Sequence, residues 1–339
     1  MSPLPEQAVV LVGGEGTRLQ PLTYGTPKAL LPVVNRPLVS FELEWLARWG
    51  VRQAILAGAE HADRLRQGLG ERVGSMELVY VEERRRLGTA GALRNVADRL
   101  AGTCWALNGD LIFDFDPRPL VERHRQAAAL VTVPLRRVED VSPFGLVECD
   151  RQGRVTSFRE KAPSDPTGRN TVNCGLYLLE PEALAGVPPG QPYSCERELF
   201  PALLAAGATV LGYLAPDMTY WADVGRLETY LGANRDLLAG ALSGVGPSRA
   251  ASAQVAPGAQ IVEPCCLGEA VQVEAGAAVG PSVTLGAGTV VGPGARLEDC
   301  LVLPGARIGG GAHLVSVVVG AGESVPERHL QQGGVICSG

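Results

Sequence analysis

The sequence lacks long apolar runs and carries only a small excess of charge. No stretch of about 18 apolar residues, the length that a membrane helix needs, occurs in the 339 residues. Segment 1–7 has neither the basic n-region nor the apolar core of a signal peptide. The formal net charge of −6 disfavours nucleic acid and anionic membranes as partners. We therefore expect a cytoplasmic protein that binds neither.

Histidine is scarce, and the cysteines lack any metal-type spacing. The four histidines lie in no recognised motif, and each is expected on the surface: His61, His124, His313 and His329. The eight cysteines form no disulfide framework, which predicts buried free thiols in a reducing compartment. Charged residues make up only 19% while glycine reaches 43 residues, which indicates a region built of turns.

An apolar run, Ala8–Val12, predicts a buried strand that ends at a glycine-rich turn. The glycines that follow are Gly13, Gly14 and Gly16. Without a Cβ, glycines bring backbone N–H groups close to an anion. Arg18 then offers donors that match phosphate oxygens, and Lys28 adds a second cation. Two glycines after a strand can also form only a tight turn, but the combination predicts a phosphate-binding loop.

This loop has neither the P-loop pattern nor a Gly-x-Gly-x-x-Gly pattern. Instead it resembles the nucleotide-binding segment of the sugar-nucleotide pyrophosphorylases, which transfer a nucleotide from a nucleoside triphosphate to a sugar-1-phosphate. The matching segments are Gly13–Thr23, Pro27–Lys28 and Pro32–Val33. The sequence departs from the pattern at Gln20, where many members carry a second arginine, so one phosphate contact is in doubt.

Strands and helices are predicted to alternate from Ala8 to Leu135, which is typical of a parallel sheet covered by helices. Closely spaced strands follow from Phe144, and helices are predicted to close the domain near residue 241. The predicted fold class is a Rossmann-like, mostly parallel mixed sheet flanked by helices, followed by a left-handed parallel β-helix. The predicted divisions are a nucleotidyltransferase domain at 1–241, a linker at 242–254 and a β-helix domain at 255–339.

The β-helix is predicted from aliphatic residues that recur every six positions. Nine positions fit without a miss: Val255, Ile261, Leu267, Val273, Val279, Leu285, Val291, Leu297 and Leu303. Such hexapeptide repeats indicate coils in which each aliphatic side chain points inward and stacks on the next coil. The step from Leu303 to Ile308 is five residues, so we expect the register to slip there and to resume at Leu314.

Asp110 follows a predicted buried strand, Cys104–Leu107, and a flexible Asn-Gly pair. Mg²⁺ prefers one or two carboxylates together with phosphate and water, so Asp110 suits a metal site. An aspartate that only caps a turn is the alternative. In the family, an aspartate at this position and a second one in a Tyr-Trp-x-Asp-x-Gly segment hold the metal. The resemblance therefore implies that Asp110 and Asp223 bind Mg²⁺.

Three segments are similar to the sugar-phosphate site of the family. Segment Phe158–Lys161 matches Phe-x-Glu-Lys, which implies that Glu160 holds sugar hydroxyls and Lys161 the sugar phosphate. Alone, such a Glu-Lys pair is more often an exposed strand end. Asn173 lies in an Asn-Cys-Gly sequence close to the family's Asn-Ala-Gly, and Gly145 matches a glycine whose backbone approaches the sugar.

Segment 87–91 matches the Leu-Gly-Thr-Ala-Gly turn that packs against the nucleotide, and Glu83 lies just upstream. A carboxylate accepts the two adjacent N–H donors of guanine but repels the acceptor oxygens of uracil and thymine. Glu82 is an alternative base-binding residue. Segment 12–14 also resembles the mannose-1-phosphate guanylyltransferase branch. The implied nucleotide-binding residues are Val12, Gly13, Gly14, Gly16, Thr17, Arg18, Glu83, Gly88 and Thr89.

The resemblance implies a reaction in which a sugar-1-phosphate oxygen attacks the α-phosphorus and pyrophosphate leaves. The implied catalytic residues are Arg18, Lys28, Asp110 and Lys161. Since the attacking phosphate is already ionised, no general base is needed, which fits the scarcity of histidine. GTP and mannose-1-phosphate are the expected substrates, Mg²⁺ the cofactor and a homo-oligomer the assembly.

Three alternatives stay open at the level of sequence. The same reaction could use glucose-1-phosphate with UTP or dTTP. A non-catalytic regulatory subunit that binds a nucleotide sugar would also need much of the loop. An acyltransferase on the β-helix would need a catalytic histidine, and only His313 and His329 lie there.

Overall fold

The computed structural model describes residues 3–58, 61–139, 141, 144–159, 170–216 and 218–338. Contacts divide the chain into two compact units. The sheet unit contains Met1–Gly14 and Val39–Trp221, and the β-helix unit contains Glu15–Leu38 and Ala222–Gly339. The part of the predicted phosphate-binding loop that carries Gly16, Arg18 and Lys28 thus groups with the β-helix, whereas Gly13 and Gly14 belong to the sheet unit. The predicted domains at 1–241 and 255–339 follow chain order and stay a prediction.

Six α-helices and fifteen strands lie in the described residues before the β-helix. The helices are α1 (Leu38–Arg48), α2 (Ala62–Leu69), α3 (Gly88–Asn95), α4 (Arg118–Gln126), α5 (Phe200–Ala205) and α6 (Leu227–Leu238). The strands are β1 (Gln7–Leu11), β2 (Pro32–Val33), β3 (Arg36–Pro37), β4 (Gln53–Ala57), β5 (Arg72–Val73), β6 (Met76–Val81), β7 (Cys104–Asn108), β8 (Leu111–Asp114), β9 (Val131–Arg137), β10 (Leu146–Cys149), β11 (Val155–Arg159), β12 (Thr171–Asn173), β13 (Leu176–Leu179), β14 (Val210–Leu214) and β15 (Tyr220–Asp223).

The main sheet has the order β11-β10-β12-β9-β13-β7-β1-β4-β6-β5, and β14 pairs with β9. Strands β7, β1, β4 and β6 are parallel neighbours, so their carboxyl ends meet at one edge. Strand β13 runs antiparallel to β7 and β9, which makes the sheet mixed. Ligands of such sheets bind beyond the carboxyl ends of the parallel strands.

Alternate residues of the central strands face two separate cores. Cys104 and Ala106 of β7 pack with α3 and α5 in one buried cluster. Trp105, between them, contacts Trp45 of α1 edge-to-face, with ring centroids 5.4 Å apart. Both faces of the sheet are therefore covered, as expected for strands that are apolar along their whole length.

The β-helix consists of three parallel sheets, to which each coil contributes one strand in turn. Its strands are β16 (Ser248–Arg249), β17 (Gln254–Val255), β18 (Gln260–Ile261), β19 (Cys265–Leu267), β20 (Gln272–Val273), β21 (Ala278–Val279), β22 (Val283–Leu285), β23 (Val290–Val291), β24 (Arg296–Glu298), β25 (Leu301–Val302), β26 (Arg307–Ile308), β27 (His313–Val315), β28 (Val318–Val319), β29 (Ser324–Val325), β30 (Leu330–Gln332) and β31 (Val335–Ile336). The predicted fold class is confirmed: a mixed α/β sheet with helices, followed by a left-handed β-helix. The first strand, Ser248–Arg249, lies within the predicted linker 242–254.

The register slip of the hexapeptide repeat lies earlier than the sequence predicts. Leu285 pairs with Val302 rather than with Leu303, and Val302 belongs to the β-helix core. The five-residue step therefore runs from Leu297 to Val302, and Ile308 and Leu314 follow in register. The expectation of a slip after Leu303 is wrong because Val302 and Leu303 are both aliphatic, so spacing alone cannot tell which one faces inward.

None of the helices in the described residues is both long and apolar enough to span a bilayer.

Candidate active site

The carboxyl-terminal edge of the parallel strands holds the glycine turn that the sequence predicts. After β1, the amide of Val12 donates to the carbonyl of Ala57, with an N–O distance of 2.9 Å. Gly13 then packs directly on Gly58: a Cβ at Gly13 would lie 2.6 Å from the Gly58 carbonyl oxygen. No atom lies within 4 Å of a Cβ built on Gly14. The backbone at 13–14 is thus held tightly on one side and open on the other, which suits a bound anion.

Gly58, which the sequence alone does not single out, lies between two of the predicted nucleotide-binding residues, Gly13 and Glu83. It follows β4 with φ +85°, a conformation that favours glycine. The signal in the sequence was a glycine directly after a buried strand.

Glu83 lies beside Gly58, and only one of its two carboxylate oxygens has a hydrogen-bond partner among the described residues. Its Oε2 accepts a hydrogen bond from the amide of Leu87 at 3.3 Å. Its Oε1 is buried and has no partner among the described residues, and it lies 3.5 Å from a Cβ built on Gly58. Burial raises the pKa of Glu83, and the Leu87 amide partly opposes this rise. Glu82, the alternative, is exposed.

Gly88 and Thr89 begin α3 and pack against the segment before α5. Gly88 has φ +68°, and a Cβ there would lie 2.8 Å from the Tyr193 carbonyl oxygen. The Thr89 hydroxyl accepts a hydrogen bond from the Cys195 amide at 2.7 Å and donates to the Glu196 carboxylate at 3.3 Å. These bonds fix the turn, and the role of Gly88 and Thr89 in nucleotide binding stays a prediction.

Asp110 lies at the end of β7, next to the end of β1. The Gly109 amide donates to the Leu11 carbonyl at 2.9 Å, and a Cβ on Gly109 would lie 2.8 Å from the same oxygen. On the other side, the Leu111 amide donates to the carboxylate of Glu42 at 2.7 Å. The half-buried Asp110 is therefore flanked by a backbone–backbone bond on one side and by a bond to the Glu42 side chain on the other.

The sugar-site candidates that the structure describes lie together near β7. The Asn173 amide donates to the Gly145 carbonyl at 3.2 Å, and the Asn108 amide donates to the Gly175 carbonyl at 2.9 Å. The Asn173 side chain donates to the Tyr177 hydroxyl at 2.8 Å. Gly145 and Asn173 are thus neighbours, and their role in sugar binding stays a prediction.

Two of the predicted sugar-phosphate residues, Glu160 and Lys161, lie outside the described residues. Their roles stay predictions.

In the β-helix unit, the rest of the phosphate-binding loop, from residue 15 onward, is compact and held by side chains. Gly16 has φ +61° and its carbonyl accepts a hydrogen bond from the Thr23 hydroxyl at 3.0 Å. A Cβ on Gly16 would lie 3.3 Å from the Cβ of Lys28. Thr17 and Gln20 are exposed on either side of the buried Leu19. The loop therefore brings Gly16 and Lys28 together.

Arg18 and Asp223 meet at Gly225. A Cβ on Gly225 would lie 2.9 Å from both Nη2 of Arg18 and Oδ1 of Asp223. Any larger residue at 225 would displace one of the two charged groups. The structure thus places a predicted metal ligand beside a predicted phosphate-binding cation within one unit.

The chemistry of the two predicted metal ligands, Asp110 and Asp223, is compatible with magnesium. No cluster of three or more His, Cys, Asp or Glu side chains that could hold a metal occurs in the part of the chain that the structure describes. Mg²⁺ keeps most of its waters and takes only one or two carboxylates together with phosphate oxygens. Asp110 in the sheet unit and Asp223 in the β-helix unit are each a carboxylate of that kind, and their joint role in holding Mg²⁺ stays a prediction.

The expectation that every histidine lies on the surface is wrong for His124. It is buried, with Nδ1 2.8 Å from the Thr132 hydroxyl and Nε2 3.1 Å from the Glu180 carboxylate. Burial lowers the pKa of His124, and the hydrogen bond to Glu180 partly opposes this. Its contacts join α4 to β9, so His124 contributes to the stability of the fold.

The cysteine prediction is confirmed in most positions. All eight cysteines are free and six are buried, whereas Cys149 is exposed and Cys337 is half-buried.

An enzyme that transfers a nucleotide is expected to contain a glycine turn, an aspartate at a strand end and a loop that carries cations. The chain has all three of these features. The family model described as nucleotidyl transferase matches residues 7–240, and the chain belongs to this family. A second model, the GMPPB C-terminal domain, matches residues 261–338 and so covers most of the β-helix.

Individual relatives of this family match most of the length of the chain. The chain is 36% identical over 309 residues to a mannose-1-phosphate guanylyltransferase of Mycobacterium tuberculosis, covering 90% of this chain and 81% of that protein. It is 28% identical over 343 residues to a UTP–glucose-1-phosphate uridylyltransferase of Synechocystis, covering 92% and 87%. These relatives are nucleotidyltransferases, and so is this chain.

Solved structures agree on the fold. The structure of HddC from Yersinia pseudotuberculosis, complexed with GMP-PN, superposes with a TM-score of 0.58 at 25% identity and covers 67% of this chain and 97% of that chain. A putative glucose-1-phosphate thymidylyltransferase from Bacillus anthracis has a TM-score of 0.59 at 23% identity, covering 67% and 93%.

Proposed function

We propose that this enzyme forms GDP-mannose and pyrophosphate from GTP and mannose-1-phosphate. The names of the relatives support the sugar and the base. The observation that carries the choice of base is Glu83, whose buried Oε1 has no partner among the described residues. A buried, unpaired carboxylate oxygen is costly. The adjacent N1–H and amino group of guanine would satisfy it, whereas uracil and thymine would place an acceptor there.

In the proposed reaction, an ionised oxygen of the sugar phosphate forms a bond to the α-phosphorus. The bond from the α-phosphorus to the bridging oxygen breaks in line, and the electron pair leaves with pyrophosphate, so no proton transfer is needed. Arg18 and Lys28 would neutralise the leaving pyrophosphate. Lys161 would position the nucleophile, and Asn173, Gly145 and Glu160 the sugar.

Asp110 and Asp223 would hold Mg²⁺ in this proposal. When bound, the ion supplies charge neutralisation on the phosphates that react. The protein's own contribution is to present two carboxylates, one set by the backbone at the end of β7 and the other beside Arg18.

The test is a matrix of nucleoside triphosphates against hexose-1-phosphates, measured by pyrophosphate release, with the Glu83→Gln variant as the matched change. We expect GTP with mannose-1-phosphate to give the highest kcat/KM. Glu83→Gln should lower kcat/KM for GTP by about 10- to 100-fold and raise that for UTP, because the amide adds a donor.

Other outcomes would change the proposal in different ways. A preference of the wild type for UTP or dTTP would overturn the choice of base and leave the reaction class intact. Nucleotide-sugar binding without pyrophosphate release from any pair would favour a regulatory subunit.

We also propose a cytoplasmic homo-oligomer. The eight free cysteines fit a reducing compartment. Leu330, in the last coil of the β-helix, is 74% exposed, and an aliphatic coil end suits packing against another copy. Light scattering would measure the mass, and a monomer at micromolar concentration would contradict this assembly.

A further inference from the structure

The second half of the phosphate-binding loop ends in a tight hairpin with a strained turn. Strands β2 and β3 pair through Pro32↔Pro37 and Val33↔Arg36. Both turn residues lie in the left-handed region, Val34 with φ +44° and Asn35 with φ +61°. Asparagine tolerates this region, but a β-branched valine rarely adopts it. Such a turn persists only where the surroundings hold it.

The tip of the hairpin is held by the β-helix. The Asn35 amide group donates to the carbonyl of Leu285 at 2.9 Å and contacts the sulfur of Cys266 at 3.4 Å. Leu285 and Cys266 lie on neighbouring coils, in strands β22 and β19. One side chain of the loop therefore spans two coils.

Helix α6 completes a three-way junction. The side-chain oxygen of Asn234 accepts from the Val34 amide at 3.1 Å and from the Thr284 hydroxyl at 2.9 Å. Asn234 is 1% exposed and Thr284 is fully buried. Thr284 alternates with the inward-facing Val283 and Leu285, so it points outward, where a β-helix is ordinarily solvated. The hairpin and α6 have turned this outward face into an interface.

The junction connects to the charged groups of the loop at both ends. Tyr230 of α6, fully buried, donates its hydroxyl to the Pro32 carbonyl at 2.7 Å. Lys28 lies one short turn before Pro32. Helix α6 begins at Leu227, just after Gly225, against which Arg18 and Asp223 lie. Fixing the hairpin and the helix on the β-helix therefore fixes the segments that carry Lys28 and Asp223, and Arg18 lies beside the second of these at Gly225.

We propose that the β-helix is the platform that positions the triphosphate-binding loop, with Asn35, Asn234 and Thr284 as its positioning residues. This inference rests on the proposed function, because it gives the loop a triphosphate to bind. The prediction is that these buried hydrogen bonds set nucleotide affinity from outside the substrate contacts. Sugar-phosphate binding should be spared, since its described candidates lie in the sheet unit.

The main test variant is Asn35→Gly, because glycine keeps the left-handed turn while removing the side-chain bonds. The matched control is Ala270→Gly, an exposed residue of the β-helix unit with φ +53°. Calorimetry would measure the dissociation constant of GTP with Mg²⁺, which does not require turnover. We expect Asn35→Gly to weaken GTP binding about tenfold, the worth of one or two buried hydrogen bonds, and Ala270→Gly to leave it unchanged.

A second readout separates positioning from stability. Steady-state rates should show a raised KM for GTP and a KM for mannose-1-phosphate within about twofold of wild type. A variant that merely unfolds would lose active protein with both KM values unchanged. Thr284→Val, which keeps size and removes the hydroxyl, should show the same pattern more weakly and serves if Asn35→Gly does not fold.

The outcomes decide between the two proposals. Wild-type GTP affinity in folded Asn35→Gly would overturn the platform. A wild type that binds GTP but releases no pyrophosphate would overturn the proposed function alone, and the binding data would still decide the platform. A wild type that binds no nucleoside triphosphate would overturn both.

Discussion

The two units hold their candidate site residues by different means. In the sheet unit, Gly13 and Asp110 lie at strand ends, where hydrogen bonds between backbones hold the neighbouring residues, with Glu42 as the one side chain that takes part. In the β-helix unit, the loop contains two short 3₁₀ turns, Thr17–Leu19 and Lys28–Leu30, and the β2–β3 hairpin, and side chains fix it to its surroundings. Those side-chain bonds come from Thr23, Tyr230, Asn35 and Asn234.

This difference predicts different sensitivities. Backbone bonds between strands survive most side-chain changes, but close packing such as that of Gly13 on Gly58 leaves no room for added volume. A loop held by single side-chain bonds tolerates volume better and loses about 1 kcal/mol for each bond removed. We therefore expect added side-chain volume to destabilise the sheet edge. In the loop, we expect each removed hydrogen bond to cost a separate increment of free energy.

The largest expected effects come from the charged groups, one in each unit. Asp110→Asn keeps size and removes the charge that would hold Mg²⁺, and Arg18→Ala removes a cation from the leaving pyrophosphate. We expect each variant to lose at least about 100-fold in kcat. Pyrophosphate release under saturating substrates measures this loss.

Circular dichroism and thermal unfolding serve as the control for both variants. Near-normal turnover in either variant would contradict the proposed mechanism. A lowered unfolding midpoint in Arg18→Ala alone would instead show that Arg18 is part of the loop's support, which would weaken the comparison between the units.

The sequence predicts the parts of this molecule that repeat or that follow a pattern. The apolar run of β1, the glycine turn and the hexapeptide repeats each carry a local signal. The exact position of the register slip has no such local signal, since Val302 and Leu303 are both aliphatic and either could face inward. Glu83 could be proposed from its chemistry, but only the packing beside Gly58 separates it from Glu82.

Contacts across long sequence distances could not be predicted in the same way. Asn35 and Leu285 are 250 positions apart, and nothing in a single sequence marks that hydrogen bond. His124 lies in a polar helix whose exposed face is easy to predict, but its burial depends on Thr132 of β9 and on Glu180, which follows β13. These are tertiary features, set by the fold as a whole.

The steric side of the comparison can be tested with two adjacent glycines. In Gly13→Ala the new Cβ would meet the Gly58 backbone, so we expect a loss of about 1–3 kcal/mol in the free energy of unfolding. In Gly14→Ala no atom lies within 4 Å of the new Cβ, so stability should change by less than about 0.5 kcal/mol. Urea unfolding measures both, and equal stabilities would show that the strand ends yield more easily than the packing suggests.

The smallest effect concerns His124, the buried polar exception in a unit held mainly by backbone bonds and apolar packing. Burial lowers its pKa in the folded protein, so below its ordinary pKa of about 6.5 the unfolded chain binds more protons than the folded one. The stability that the neutral ring contributes is therefore complete above that pH and is lost as the pH falls. One such group changes the free energy of unfolding by at most about 1.4 kcal/mol per pH unit.

Urea unfolding at pH 8 and pH 5.5 measures this effect. The free energy of unfolding should fall less between these pH values in His124→Gln than in wild type, because glutamine can keep hydrogen bonds to Thr132 and Glu180 without titrating. An equal drop in both proteins would mean that other groups govern the acid sensitivity of the sheet unit.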